Sequence, residues 1–159
     1  MRKLLFILVC SMVGFYAYAQ DNQKINQIIF TDATFVEPNP PKPIKGWRMV
    51  GLEENVAALV GEYPGKIIKF QFKGNAVGIE VEATPEAGII EYSIDASEWE
   101  KLDLYMPVSK EKQVPVYFTL GDNLKNRRHT LQLRLTENRN SESSGSKCTI
   151  RNFYFNSPQ

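Results

Sequence analysis

The chain has 159 residues, a formal net charge of +1, one histidine and two cysteines, and is 43% hydrophobic and 11% aromatic. Such an even balance supplies no long-range field to steer the protein to nucleic acid or an anionic membrane surface. One histidine and two cysteines also exclude a zinc or copper set of the usual spacing.

The N-terminal residues read as separate from the fold. "MRK" is a basic start, "LLFILVCSMVGF" is an apolar run too short for a membrane span, and "AYA" before Gln20 has the small-x-small cleavage pattern. Residues 1–19 are therefore expected to be a secretory signal peptide, and the protein to be exported, periplasmic or secreted, with no membrane span. Cys10 follows Val9 inside the apolar run, where a lipoprotein attachment site needs a small residue. Once Cys10 leaves with the signal, Cys148 has no intramolecular partner, so the fold must rely on its core. The rest of the chain is enough for one domain that buries roughly two-thirds of its unfolded surface.

Residues 20–45 are expected to hold an N-terminal strand and a crossover. "INQIIFTDATFV" (25–36) has strand composition, whereas "EPNPPKPIKG" (37–46) has four prolines and cannot donate the ladder bonds of a central strand. From residue 46 to 156 short strands recur. "RMVGL" and "VAALVG" are brief apolar runs, and "IIKFQFKG" sets Phe70 and Phe72 against Lys69, Gln71 and Lys73. "GIEVEAT" sets Ile79 and Val81 against Glu80 and Glu82, and the intervening "KGNA" is expected to close the two runs into a hairpin.

Period two continues in "GIIEYSIDASEWEKLDLY" (88–105). Ile90, Tyr92 and Ile94 share one face, Leu102 and Leu104 continue it, and residues 95–98 form the turn. "VPVYFTL", "HTLQLRLTE" and "CTIRNFYFN" complete the series, the last after the polar loop "NRNSESSGSK", while "GDNLKNRR" has room for one helical turn at most. Nine or ten short strands with polar outer faces imply an all-β chain, a two-sheet antiparallel β-sandwich or jelly roll, with a closed barrel as the alternative.

The residues offer little for catalysis. His129 is the only base for a nucleophilic triad and is expected on the surface of an edge strand; Cys148 is expected to be a small core filler. Paired carboxylates are too numerous to single out a glycosidase pair, and no Gly-rich loop opens a helix for phosphate. Asp95, Glu98 and Asp122 are candidates for a structural calcium, although no Asp-rich loop supports it, and no other cofactor is expected.

Aromatic residues are the better lead. Trp47, Tyr63, Trp99, Tyr105, Tyr117 and Tyr154 offer flat surfaces for the apolar face of a sugar, although sandwich cores also consume such rings. Trp99 lies beside the turn and Tyr105 is out of phase with Leu102 and Leu104, so both are expected to be exposed. With Asp95 as acceptor for hydroxyls, Trp99, Tyr105 and Asp95 form the candidate ligand-binding set.

"AGIIEYSID", W-x-K-L-D-L from Trp99, H-T-L-x-L-R from His129 and the final I-R-x-F-x-x-N from Ile150 occur in an order that resembles a known family. It is the N-terminal β-sandwich that precedes the catalytic domain in a group of bacterial exported SGNH/GDSL-type hydrolases, and the likeness spans about residues 46–156. The resemblance implies a galactose-binding-like jelly roll acting as an accessory module to enzymes that deacylate carbohydrates or related esters. In that family the Gly-Asp-Ser and Asp-x-x-His blocks lie in a following α/β domain, and this chain ends where that domain should begin. Gly121-Asp122-Asn123 imitates the first block with Asn123 in place of serine, and "MPVSKEKQVPVYF" (106–118) has Lys110, Glu111 and Lys112 in place of the family's histidine-bearing loop.

The expected function is thus a non-catalytic exported module that binds a carbohydrate or a glycan-processing protein. The alternatives are the non-catalytic half of a split SGNH-type carbohydrate esterase, and a structural module whose sheet edges or 138–147 loop contact another protein.

Overall fold

A computed structural model describes residues 33–52 and 56–157. The expected signal peptide at 1–19, and the part of the first strand before residue 33, lie outside the described residues. Ten strands are described: β1 (Ala33–Val36), β2 (Trp47–Gly51), β3 (Ala57–Gly61), β4 (Ile68–Gly74), β5 (Ala76–Ala83), β6 (Gly88–Ile94), β7 (Glu100–Asp103), β8 (Val114–Gly121), β9 (Arg127–Arg139) and β10 (Cys148–Asn156). The strands form two antiparallel sheets, so the sandwich holds and the barrel does not. One sheet has six strands in the order β2-β3-β10-β5-β8, with β1 also on β10; the other has four, in the order β4-β9-β6-β7.

Alternation explains the layers. In β9, His129, Leu131, Leu133 and Leu135 are buried while the residues between them are not. In β5, Val77, Ile79 and Val81 face the same core from the other sheet, and Phe72, Ile90, Phe118, Ile150 and Phe153 fill the space between. Removing that apolar surface from water is the main driving force for stacking the sheets. Trp47 also joins the core, its ring against Gly61, where a side chain would collide with it.

The expected β4–β5 hairpin is not formed. β4 pairs with β9, and β5 pairs with β10 and β8, so Gly74–Ala76 is a corner that carries the chain from one sheet to the other. Strand period fixes which side chains point inward, but not which strand is the neighbour. Here the corner is held by bonds distant in sequence. The Asn75 N–H donates to the Asn156 carbonyl (3.0 Å), the Asn75 carbonyl accepts from Leu124 N–H (2.9 Å), and Asn156 Nδ2 donates to Asn75 Oδ1 (3.0 Å). Gly74 sits so close to the Asn156 carbonyl that a β-carbon there would overlap backbone.

Two connections are structured locally. Pro107–Lys110 forms a short 3-10 helix, begun by a proline whose missing N–H costs nothing at that position. The polar loop before β10 is pinned by buried Ser143, whose hydroxyl lies 2.7 Å from the Ala87 carbonyl, while Lys147 N–H donates to Glu86 O at 2.7 Å. Among the described residues no helix is long and apolar enough to cross a membrane.

Replacing Gly74 by alanine is expected to destabilise the protein by about 1–3 kcal/mol, because the clash is with backbone that cannot rotate away. Urea unfolding measures it, and an unchanged midpoint would show that the corner is slack.

Candidate functional site: the cleft beside Asp95 and His129

The β6–β7 hairpin turns through Ile94-Asp95-Ala96-Ser97, closed by Ser97 N–H donating to the Ile94 carbonyl at 3.0 Å. Asp95 and Ala96 both have left-handed backbone (φ 53 and 60), the geometry of a type I′ turn, whose twist suits a hairpin. Asp tolerates that conformation and Ala does so only at a cost, so the surroundings must hold the turn. Much of that hold comes from Asp95 itself. Its N–H donates to the Thr130 carbonyl (2.9 Å), and its Oδ1 accepts from Thr130 N–H (2.9 Å). Its Oδ2 faces His129 Nδ1 at 2.8 Å and Arg127 Nη2 at 3.2 Å.

His129 corrects the expectation of a surface histidine on an edge strand. β9 lies between β4 and β6, and the ring, 5% exposed, stacks on Phe72 with centroids 5.3 Å apart. The signal was in the sequence: His129 shares the parity of Leu131, Leu133 and Leu135, so it belongs to the inward face. Its Nε2 lies 2.7 Å from the Lys125 carbonyl, which can only accept, so Nε2 carries a proton. With the other nitrogen on Asp95, neither is free to take a proton from a nucleophile. The pair looks like the His–Asp half of a hydrolase triad but is built as a clamp between the β6–β7 turn and the residues before β9.

Partial burial works against ionised Asp95, but the Thr130 N–H, His129 and Arg127 outweigh it and hold the carboxyl below its usual range. Beside the clamp, a cleft of about 490 Å³ opens between the β6–β7 edge and β8. Its wall mixes apolar Ile94, Leu120 and Leu124 with the polar groups of Asp95, Glu100 and Asp122. The Tyr92 hydroxyl donates to Glu100 Oε2 at 2.9 Å, and burial, with that carboxylate, pushes its ionisation well above the usual tyrosine range. A second hollow, about 580 Å³, lies on the other side of the clamp and includes Gln71, Lys73, Arg128 and Thr130. Fixed carboxylates and hydroxyls over an apolar floor suit a ligand that carries hydroxyls on a hydrocarbon ring.

The structure does not bring the three sequence-derived residues together. Asp95 borders the cleft. Trp99 is half-buried on the outer face of the four-stranded sheet, one ring face covered by the Arg134 guanidinium 4.2 Å from its centroid, with Arg134 Nε donating to Glu91 at 2.8 Å. Tyr105 is 5% exposed, which corrects the expectation that it is a surface ring. β7 ends at Asp103, whose Oδ1 accepts the Tyr105 N–H (2.9 Å), and the chain bends so that Leu104 and Tyr105 are both buried. Tyr105 thus lies past the end of β7 opposite to Asp95 and Trp99.

The calcium candidates fare similarly. Asp95 is occupied by His129, Thr130 and Arg127, Glu98 is an exposed turn residue, and among the described residues no group of three or more His, Cys, Asp and Glu is placed to hold a metal ion. Asn123 has left-handed backbone (φ 53), which places it in a turn. Cys148 is 1% exposed in the core, with burial pushing its thiol up. Sequence reasoning missed His129, and also Glu100, whose role depends on the cross-strand pairing of Tyr92 with Glu100.

Fold and cleft together define a β-sandwich module with a polar-rimmed hollow at its edge. Residues 53–158 match the carbohydrate esterase 2 N-terminal family, and the chain belongs to it. No curated protein matches. Among solved structures, a two-domain esterase active on acetylated mannans is similar with a TM-score of 0.65 at 12% identity, over 82% of this chain and 37% of that one. A family two carbohydrate esterase from Cellvibrio japonicus gives a TM-score of 0.53 at 15% identity, over 80% and 34%. The chain therefore spans little more than a third of these esterases, and at such identity the likeness concerns the fold.

A carboxyl whose pKa is lowered on folding contributes stability above its unfolded value, about 4, that is lost as pH falls through the folded value. Asp95→Asn should therefore lower the melting temperature at neutral pH, and the gap to wild type should narrow as pH is taken to about 2.5. Thermal unfolding followed by circular dichroism reads the gap; a gap independent of pH would remove the charge from the clamp.

Proposed function

We propose that this chain is a non-catalytic glycan-binding module that serves glycan deacylation, with the cleft beside Asp95 as its binding site. The observation that carries this reading is the His129 ring, closed at one nitrogen by Asp95 and at the other by the Lys125 carbonyl. Such a ring fixes the cleft wall but performs no acid–base step in it, so the cleft holds a ligand without transforming it. Membership of the carbohydrate esterase 2 N-terminal family and the likeness to part of an esterase active on acetylated mannans support the choice of ligand. In this reading residues 1–19 direct export, residues 46–156 with the preceding segment form the module, and an SGNH-type hydrolase domain supplies the chemistry.

Electrophoresis of the full chain through gels containing mannan, xylan or β-1,3-galactan tests it. At least one polymer should retard the protein, and Glu100→Ala with Asp122→Ala should restore free mobility. No retardation by any of the three would reject the reading. In parallel, hydrolysis of p-nitrophenyl acetate should stay at background; turnover abolished by His129→Gln would make the clamp a catalytic pair instead.

A further inference from the structure

The outer face of the six-stranded sheet is built differently from that of an ordinary solvent-facing sheet. Glu80 and Glu82 point away from the core, yet Glu80 is 5% exposed and the Glu82 side chain 10%. A β-bulge between Ile150 and Asn152 places Arg151 and Asn152 together beside Glu80. Arg151 Nη1 donates to Glu82 at 2.7 Å, Arg151 Nε lies 3.3 Å from Glu80 Oε1, and Asn152 Nδ2 donates to Glu80 Oε2 at 2.7 Å. Ion pairs withdrawn from water in this way add little to stability.

Around this network stand three rings. Phe35 is 52% and Tyr117 47% exposed, their centroids 6.3 Å apart at 84°. Tyr154 lies 5.7 Å from Phe35 and 6.2 Å from Tyr117, and its ring covers Gly78, where any side chain would overlap it. Two of the rings have polar neighbours: burial and adjacent Glu80 raise the Tyr117 hydroxyl's pKa, and Tyr154 Oη is 3.4 Å from Thr119 Oγ1. Phe35 and Tyr117, exposed on one side and backed by the buried Tyr154 ring, lose little freedom when a ligand stacks on them. Thr119 also borders the cleft, so the two surfaces meet along β8.

We propose that the exposed Phe35–Tyr117 corner, seated on the buried Tyr154 ring, is a second sugar platform, which continues the cleft around the β8 edge so that one glycan chain occupies both. Two perpendicular rings present an apolar corner to the C–H face of a pyranose. The Arg151 guanidinium beside them is already paired with Glu80 and Glu82 and is not offered to a uronate carboxylate, so the ligand is an uncharged sugar. This inference rests on the carbohydrate-binding reading of the cleft but requires more, namely a contact that only a longer chain can reach.

The test measures the full chain against mannan, xylan and β-1,3-galactan and against the matching disaccharides, by affinity electrophoresis and titration calorimetry. For the retained polymer, Phe35→Ala with Tyr117→Ala should weaken binding about tenfold, from the loss of two stacking rings, and leave disaccharide binding unchanged. Tyr117→Trp keeps a ring and should keep polymer binding, with a change in its fluorescence on polymer addition. Unchanged polymer affinity of the folded double variant, alongside loss in the Glu100 and Asp122 variants, would overturn the platform and leave the cleft reading intact. Retardation by none of the polymers would reject both. A wild-type dimer in sedimentation that Phe35→Ala and Tyr117→Ala dissociate would overturn the platform and make the rings a contact between copies.

Discussion

The cleft depends on one carboxylate. Asp95 sits in a turn whose backbone its neighbour Ala96 adopts only at a cost, and it offsets that cost by gripping both the backbone and side chains at the start of β9. Through this contact the β6–β7 hairpin is locked to the centre of its sheet, His129 is turned toward Lys125, and the position of Glu100 across from Tyr92 is set. A neutral side chain of the same shape keeps some of these bonds but not the attraction of Arg127. The clamp is thus electrostatic in origin and geometric in effect.

The same residues explain why a histidine next to an aspartate does not imply hydrolysis. A general base needs one ring nitrogen directed at a nucleophile, whereas here that nitrogen is against a main-chain carbonyl. Burial on the leucine face of β9 further separates the ring from the solvent. The arrangement exchanges reactivity for rigidity.

Much of the fold was legible because period two is a local property. The strands around Phe70, Ile79, Ile90, Phe118, Leu131 and Phe153 each declared their inward face, and the inward faces summed to a sandwich. What alternation does not encode is partnership. The Gly74–Ala76 corner has the composition of a hairpin turn, and only its bonds to Asn156 and Leu124, far along the chain, show that it joins two sheets. Tyr105 was misplaced for a related reason, since parity stops being informative where a strand ends, and β7 ends two residues before it. Alternation alone predicts a solvated face for Glu80 and Glu82; they are covered because a bulge in β10 delivers Arg151 and Asn152 to them. Of the candidate site, Asp95 is legible from its place in the turn, and the inward direction of His129 from its parity with the leucines of β9.

β10 is the last of the described strands and lies between β3 and β5, with β1 also added to it. The six-stranded sheet therefore cannot assemble progressively from its N-terminal end. β1, β3 and β5 keep open edges until residues 148–156 are available to bridge them, so most of the sheet forms in one late, long-range step. Such topology slows folding, and it makes the aromatic strand β10 the element on which the cooperativity of the whole domain turns.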